Sequence, residues 1–163
     1  MKRVLLVRHA KSDWSVEADD FDRPLNERGK RDAPMMASRL QKRNIPIDAF
    51  VSSPAKRALR TAKIFAETLE YKKDDIILKR ELYLAAPETF YSVIEKMDDK
   101  VNTIALFSHN NGITEFANSL GVARIDNMPT CSVFAFTIDA DSWSGFRKAK
   151  KEFLFFDYPK KVE

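Results

Sequence analysis

The sequence predicts an α/β fold, a three-layer α/β/α arrangement around a mainly parallel sheet. Three observations predict it. Residues 4–7 and 103–108 are apolar runs without polar alternation, the pattern of strands buried on both faces. Segments with helical spacing separate these runs from further short apolar stretches, and strands alternating with helices build parallel sheets. The chain has 163 residues, a length that suits one domain with a sizeable core.

The first strand is expected over residues 2–7. Residues 10–25 are polar and acidic, with Asp13, Glu17, Asp19, Asp20 and Asp22. They read as a long loop of the kind that often carries function. A helix is expected over 26–43, where Ala33, Met36, Ala37 and Leu40 recur at helical spacing. Asn26 is its candidate N-cap, although Gly29 and Pro34 weaken the first turns and favour a start nearer Asp32.

A short strand follows over 49–52. Ser53-Pro54 then opens a helix reaching Leu69, with Ser53 as cap and Pro54 in the first helical position. The remaining elements are a strand over 76–78, a helix over 87–97, a strand over 103–108 and a helix over 112–120. Strands over 132–138 and 152–156 close the chain. The aromatic stretch from Phe153 to Tyr158 reads as a core strand in preference to an interface. With no internal repeat, low-complexity tract or linker, residues 1–163 read as a single domain.

Composition narrows the function classes. Hydrophobic residues make up 44% and charged residues 32%, ordinary for a globular protein and unlike a disordered one. The apolar run at the N-terminus is cut short by Arg8-His9, too early for a secretory signal, and no segment approaches a membrane span. Cys131 is the single cysteine. It reads as a small buried hydrophobe, consistent with a reducing compartment. These features predict a cytoplasmic protein without membrane association. The net charge of +4 owes much to Lys148, Lys150, Lys151, Lys160 and Lys161 near the C-terminus. Without a nucleic-acid-binding motif, they read as a solvated basic edge.

In open α/β sheets, ligands bind outside the carboxyl ends of the strands. Arg8-His9 follows the first strand, Ser52-Ser53-Pro54 and then Lys56-Arg57 follow the second, and His109-Asn110-Asn111-Gly112 follow the strand over 103–108. The chain has two histidines, and both fall on this edge. A histidine at a strand end can be merely a satisfied polar residue, but two of them beside arginines point to a site. Arg57 lies in a first helical turn, where a cation opposes the helix dipole unless an anion offsets it. Two arginines with two histidines describe a pocket for a phosphoryl dianion. One neutral histidine would act as nucleophile, and the other, if protonated, would hold developing charge. The arginines would repel a divalent metal, and no HxH or HExxH spacing is present, so neither metal nor other cofactor is expected.

These same residues resemble a family. Val7-Arg8-His9-Ala10, the block from Ser52 to Ala62, and Ser108-His109-Asn110-Asn111-Gly112 are similar, in order and spacing, to the three signature blocks of the histidine phosphatase superfamily, the phosphoglycerate mutase-like fold. Lys11-Ser12-Asp13-Trp14, residues 20–29 with Arg23-Pro24-Leu25, and Asp126-Asn127-Met128-Pro129-Thr130 resemble its short SixA-like phosphohistidine phosphatase branch. The resemblance implies His9 as the phosphorylated nucleophile, Arg8 and Arg57 as phosphoryl ligands, and His109 completing the pocket. It also implies that Arg23 and Asn110 bind substrate.

The sequence departs from the family at three positions. Ala10 stands where glycine is commoner, Arg60 where glutamine is usual, and no acidic pattern follows the third strand. Glu81 is the nearest candidate general acid there, and a solvated charge is its plainer reading. A weak acid site suits a phosphohistidine, whose imidazole leaves with less protonation than an alkoxide requires. The expected partners are therefore phosphorylated proteins of phosphorelay or phosphocarrier type, or small phosphorylated metabolites. A small-molecule phosphomonoesterase and a non-catalytic phosphate-binding adaptor are the alternatives.

Overall fold

The sheet places the candidate residues by its register. In the computed structural model, which describes residues 1–161, six strands run β1 (Lys2–Arg8), β2 (Ala49–Ser52), β3 (Ile77–Leu78), β4 (Thr103–Ser108), β5 (Val133–Ile138) and β6 (Lys151–Asp157). Their spatial order is β3-β2-β4-β1-β5-β6. The first four strands in that order pair in parallel, while β5 and β6 are antiparallel. Residues 162 and 163 of the expected domain lie outside the described residues.

Helices cover both faces. Leu5 and Val7 of β1 pack with Ala33, Met36 and Leu40 of α1 (Glu27–Lys42) and with Ala62 and Phe65 of α2 (Lys56–Thr68). Val4 and Leu6 face the other way, onto Phe90 and Ile94 of α3 (Pro87–Glu95) and onto Ile113 and Phe116 of α4 (Gly112–Ser119). Successive strand side chains alternate between faces. Both faces are buried, so the apolar run in β1 needs no polar interruption.

Local chemistry sets where the helices begin. Asn26 caps α1 as expected, its side chain accepting from the Gly29 N–H at 2.8 Å. The helix therefore starts at Glu27, not near Asp32, and Pro34 lies inside it. Gly29 is needed because a Cβ there would sit 2.3 Å from the Lys11 carbonyl oxygen. The Ser53-Pro54 start of α2 is corrected. The helix begins at Lys56 with Ala55 as N-cap and no side-chain cap bond, because the Ser53 hydroxyl accepts from the Ala55 N–H at 3.3 Å, ahead of the helix, and lies 2.8 Å from His109 Nε2. The C-terminal stretch is corrected too. β6 forms the sheet edge, with Phe153 and Leu154 exposed, rather than a core strand.

Candidate active site

Three parallel strands end level with one another. Arg8 pairs with Ser108 across β1 and β4, and Ser52 pairs with Phe107 across β2 and β4. The next residues therefore leave the sheet together. The His9 N–H donates to the Ser108 carbonyl at 3.1 Å, and the Ser53 N–H to that of Phe107 at 3.0 Å. His9 and His109 emerge side by side, with ring centroids 5.2 Å apart. Arg57 joins them from the first turn of α2. Arg8, His9, Arg57 and Asn110 line one cavity of about 360 Å³ with Lys11, Ser12, Trp14, Asp20, Leu84 and Thr130.

Backbone contacts orient His9. Its Nδ1 lies 2.7 Å from the Ala10 carbonyl oxygen. A carbonyl only accepts, so Nδ1 carries the proton and Nε2 keeps its lone pair. The Ala10 N–H donates to Thr61 Oγ1 at 2.9 Å, and Thr61 donates to the Arg57 carbonyl. The His9 turn is thus tied to α2. Burial, outweighing the contact with Ala10, and the nearby Arg57 and Arg8 push the His9 pKa down to about 4.

His109 Nε2 lies 2.8 Å from Ser53 Oγ, and its Nδ1 is buried without a partner. Burial, His9 and Arg57 push its pKa down to about 3. Both imidazoles are therefore neutral at neutral pH in the free protein, and the charge-holding role read for this ring, conditional on its protonation, needs an anion that raises its pKa. A doubly charged phosphoryl group entering the cavity would shift that balance toward protonation.

The guanidinium groups differ in engagement. Arg8 donates through Nη1 to the Met128 carbonyl at 2.8 Å, while its Nε is buried without a partner. Burial, and then Arg57, lower its pKa. Arg57 donates through Nη1 to the Asp20 carbonyl and through Nη2 to its carboxylate at 3.0 Å. Tyr83 donates to the same carboxylate at 2.5 Å. The bond from Tyr83, supported by Arg57, holds the Asp20 carboxyl below the usual range despite the opposing effect of burial.

Sequence reasoning missed Asp20 and Tyr83, which reach the site from two distant loops. No periodicity in either loop signals their meeting. Tyr83 meets both Phe21 and His109 edge-on.

Two residues expected at the site lie elsewhere. Arg23 does not line the cavity. It donates to the carbonyls of Asp13, Val16 and Ala18, so it organises the loop over residues 10–25. Glu81 is exposed and borders a separate cavity of about 190 Å³ with Lys79, Ser92 and Lys96. Asn110 does line the cavity that holds His9, but its side chain donates to Asn127 and accepts from Thr114. Gly112 lets this loop close, since a Cβ there would collide with the Ala85 carbonyl.

A parallel-sheet edge that sets His9, Arg8 and Arg57 on one cavity, with the buried His109 ring directly behind His9, suits a phosphatase working through a histidine intermediate. Within that class, the chain belongs to the histidine phosphatase superfamily (branch 1), whose family model matches residues 4–102. The structure is SixA-like. It matches the crystal structure of the putative phosphohistidine phosphatase SixA from Agrobacterium tumefaciens at TM-score 0.80 and 26% identity, covering 97% of this chain and 98% of that one. It also matches a SixA structure complexed with tungstate at TM-score 0.82 and 19% identity, covering 96% and 97%.

An uncharacterised chloroplastic protein of Arabidopsis thaliana is 28% identical over 151 residues, 87% of this chain and 69% of its own length. Phosphoserine phosphatase 1 of Hydrogenobacter thermophilus is 38% identical over 84 residues, 48% of this chain and 39% of its own. No helix among the described residues is long and apolar enough to cross a membrane.

Proposed function

We propose that this chain hydrolyses phosphohistidine on proteins, passing the phosphoryl group through His9. Arg8 and Arg57 hold the phosphoryl oxygens, and His9 Nε2 attacks phosphorus in line with the departing nitrogen. The His9–phosphorus bond forms as the substrate's phosphorus–nitrogen bond breaks. The leaving ring takes that electron pair and departs as neutral imidazole when its other nitrogen carries a proton. Water then attacks phospho-His9, displacing the neutral His9 ring and releasing phosphate. His109 completes the pocket beside the equatorial oxygens. We place the reaction in the cytoplasm.

The observation carrying this reading is the state of Asp20. It is the one carboxylate among the residues that line the cavity, and Tyr83 and Arg57 favour its ionised form. An ionised carboxylate cannot protonate a leaving alkoxide, and such a donor is typically worth 10²–10⁴-fold. A phosphorylated imidazole needs no such help.

A second reading, a small-molecule phosphomonoesterase, is favoured by the similarity to a phosphoserine phosphatase. Both readings are tested without added metal, using a phosphohistidine-bearing carrier protein, phosphoserine and p-nitrophenyl phosphate. Rapid loss of the carrier's phosphate with slow ester cleavage supports the first reading. Rapid phosphoserine cleavage supports the second. Phosphate binding with no turnover of any substrate would leave the adaptor.

A further inference from the structure

Trp14 is 71% exposed, yet it is held in place. The Arg23 guanidinium lies 3.8 Å from the centre of its ring. Arg23 is itself only 8% exposed and is anchored by three carbonyls of the same loop. A flat cation thus backs one face of the indole, and the ring borders the cavity that holds His9. Leu84, 56% exposed and with φ of 51°, borders that cavity as well. An exposed indole and an exposed leucine beside a charged pocket leave apolar surface in water at a cost. Fixing the indole with a buried arginine adds the desolvation of that arginine, whose Nε has no partner.

We infer that Trp14 is the recognition face for the ring that carries the phosphoryl group, stacking on the substrate imidazole as His9 attacks. The inference rests on the phosphohistidine reading above and adds the feature that distinguishes such a side chain from other phosphoryl donors. The bare oxygens of a phosphoryl group gain nothing from an indole face. A flat heteroaromatic ring gains from stacking, and a protonated ring gains further from the electron-rich π face. Trp14 makes no contribution to the bond changes at phosphorus. It holds the leaving ring in position, while Arg23 acts through it as a positioning residue.

The test compares phosphoimidazole, which has a ring, with phosphoramidate, which has a phosphorus–nitrogen bond and no ring. Trp14→Ala is expected to lower kcat/KM for phosphoimidazole by about fivefold and to leave phosphoramidate nearly unchanged, with Trp14→Phe recovering most of the loss. Equal losses on both substrates, or no loss on phosphoimidazole, would overturn the inference.

Binding provides a readout independent of turnover. The protein has two tryptophans, and Trp143 is buried, with its Nε1–H bonded to the Val101 carbonyl. In His9→Ala protein, phosphoimidazole should shift the Trp14 indole resonance in NMR and leave that of Trp143 in place, while phosphoramidate shifts neither. If the wild type turns over neither phosphorus–nitrogen substrate nor the phosphohistidine-bearing carrier protein, the phosphohistidine reading fails. The Trp14 resonance then decides the stacking inference alone: a shift sustains it and an unmoved resonance sinks it.

Discussion

The two ends of β1 each carry a cation, and their hydrogen bonds separate structure from function. At the amino end Lys2 is buried, its three donors reaching the Asp99 and Val101 carbonyls at 2.9 and 2.8 Å and Asn102 Oδ1 at 3.3 Å. Its ammonium also lies 5.1 Å from the Trp143 ring centre. At the carboxyl end Arg8 has a buried Nε without a partner, and burial, then a second cation, Arg57, lower its pKa. Native structures rarely bury a donor without satisfying it. One end is complete without a ligand, whereas the other concentrates positive charge that a dianion would neutralise.

The strongest way to break this comparison is to remove His9, the proposed nucleophile. His9→Ala should reduce phosphohistidine hydrolysis by about 10³-fold or more and abolish acid-labile phosphate on the protein. A variant that still forms the phosphoprotein would refute the role of His9.

Exchanging the two cations for methionine sharpens the contrast. Arg8→Met should lower kcat/KM by about 10²–10³-fold with a near-unchanged melting temperature. Lys2→Met should leave kcat/KM unchanged and lower stability by about 1–2 kcal/mol, because its acceptors lose their donor. The same pair of measurements fails the comparison if both variants lose stability alone.

Acid titration gives an intermediate effect. With only two histidines in the chain, NMR can follow each ring separately. Their midpoints should fall near about 4 for His9 and about 3 for His109, well below the ordinary value near 6.5. The unfolded chain binds protons at these rings below about pH 6.5, while the folded chain does not until the depressed values are reached. Stability contributed by the neutral rings is therefore full above pH 6.5 and declines as the pH falls toward 4. Inorganic phosphate should raise both midpoints. A ring titrating near 6.5 in the free protein would show that it is not desolvated as described.

The smallest effect is expected at Glu81. Glu81→Gln should change kcat/KM by less than about twofold, since the carboxylate borders a different cavity. A large loss with a lost basic limb in the pH profile would restore it as an acid.

The site was legible where strand ends set it. Arg8, His9 and His109 follow buried strands directly, and periodicity locates such strands to within a residue or two. Arg57 was legible from its conflict with the helix dipole. Asp20 and Tyr83 were not, because their meeting depends on how two irregular loops fold over the sheet edge, and neither loop has a period to read. Arg23 and Glu81 were placed by their neighbours in sequence, but a side chain several bonds long can turn either way. Ser53 shows the same limit at short range. Its sequence context suggests a helix cap, while in the fold its hydroxyl also faces a histidine from another strand.

The bond from His9 to the carbonyl of the very next residue has a consequence for how such enzymes change. In many sites a remote carboxylate or loop carbonyl fixes the tautomer of a reactive imidazole, so altering that loop disarms the nucleophile. Here the tautomer is fixed by Ala10 at the strand end, while Trp14 and Arg23 stand further along the same loop. Substitutions at Trp14 and Arg23 that spare Ala10 and Asp20 can redirect which molecules are accepted while the His9 tautomer is kept, so selectivity and reactivity are free to evolve at different positions of one loop.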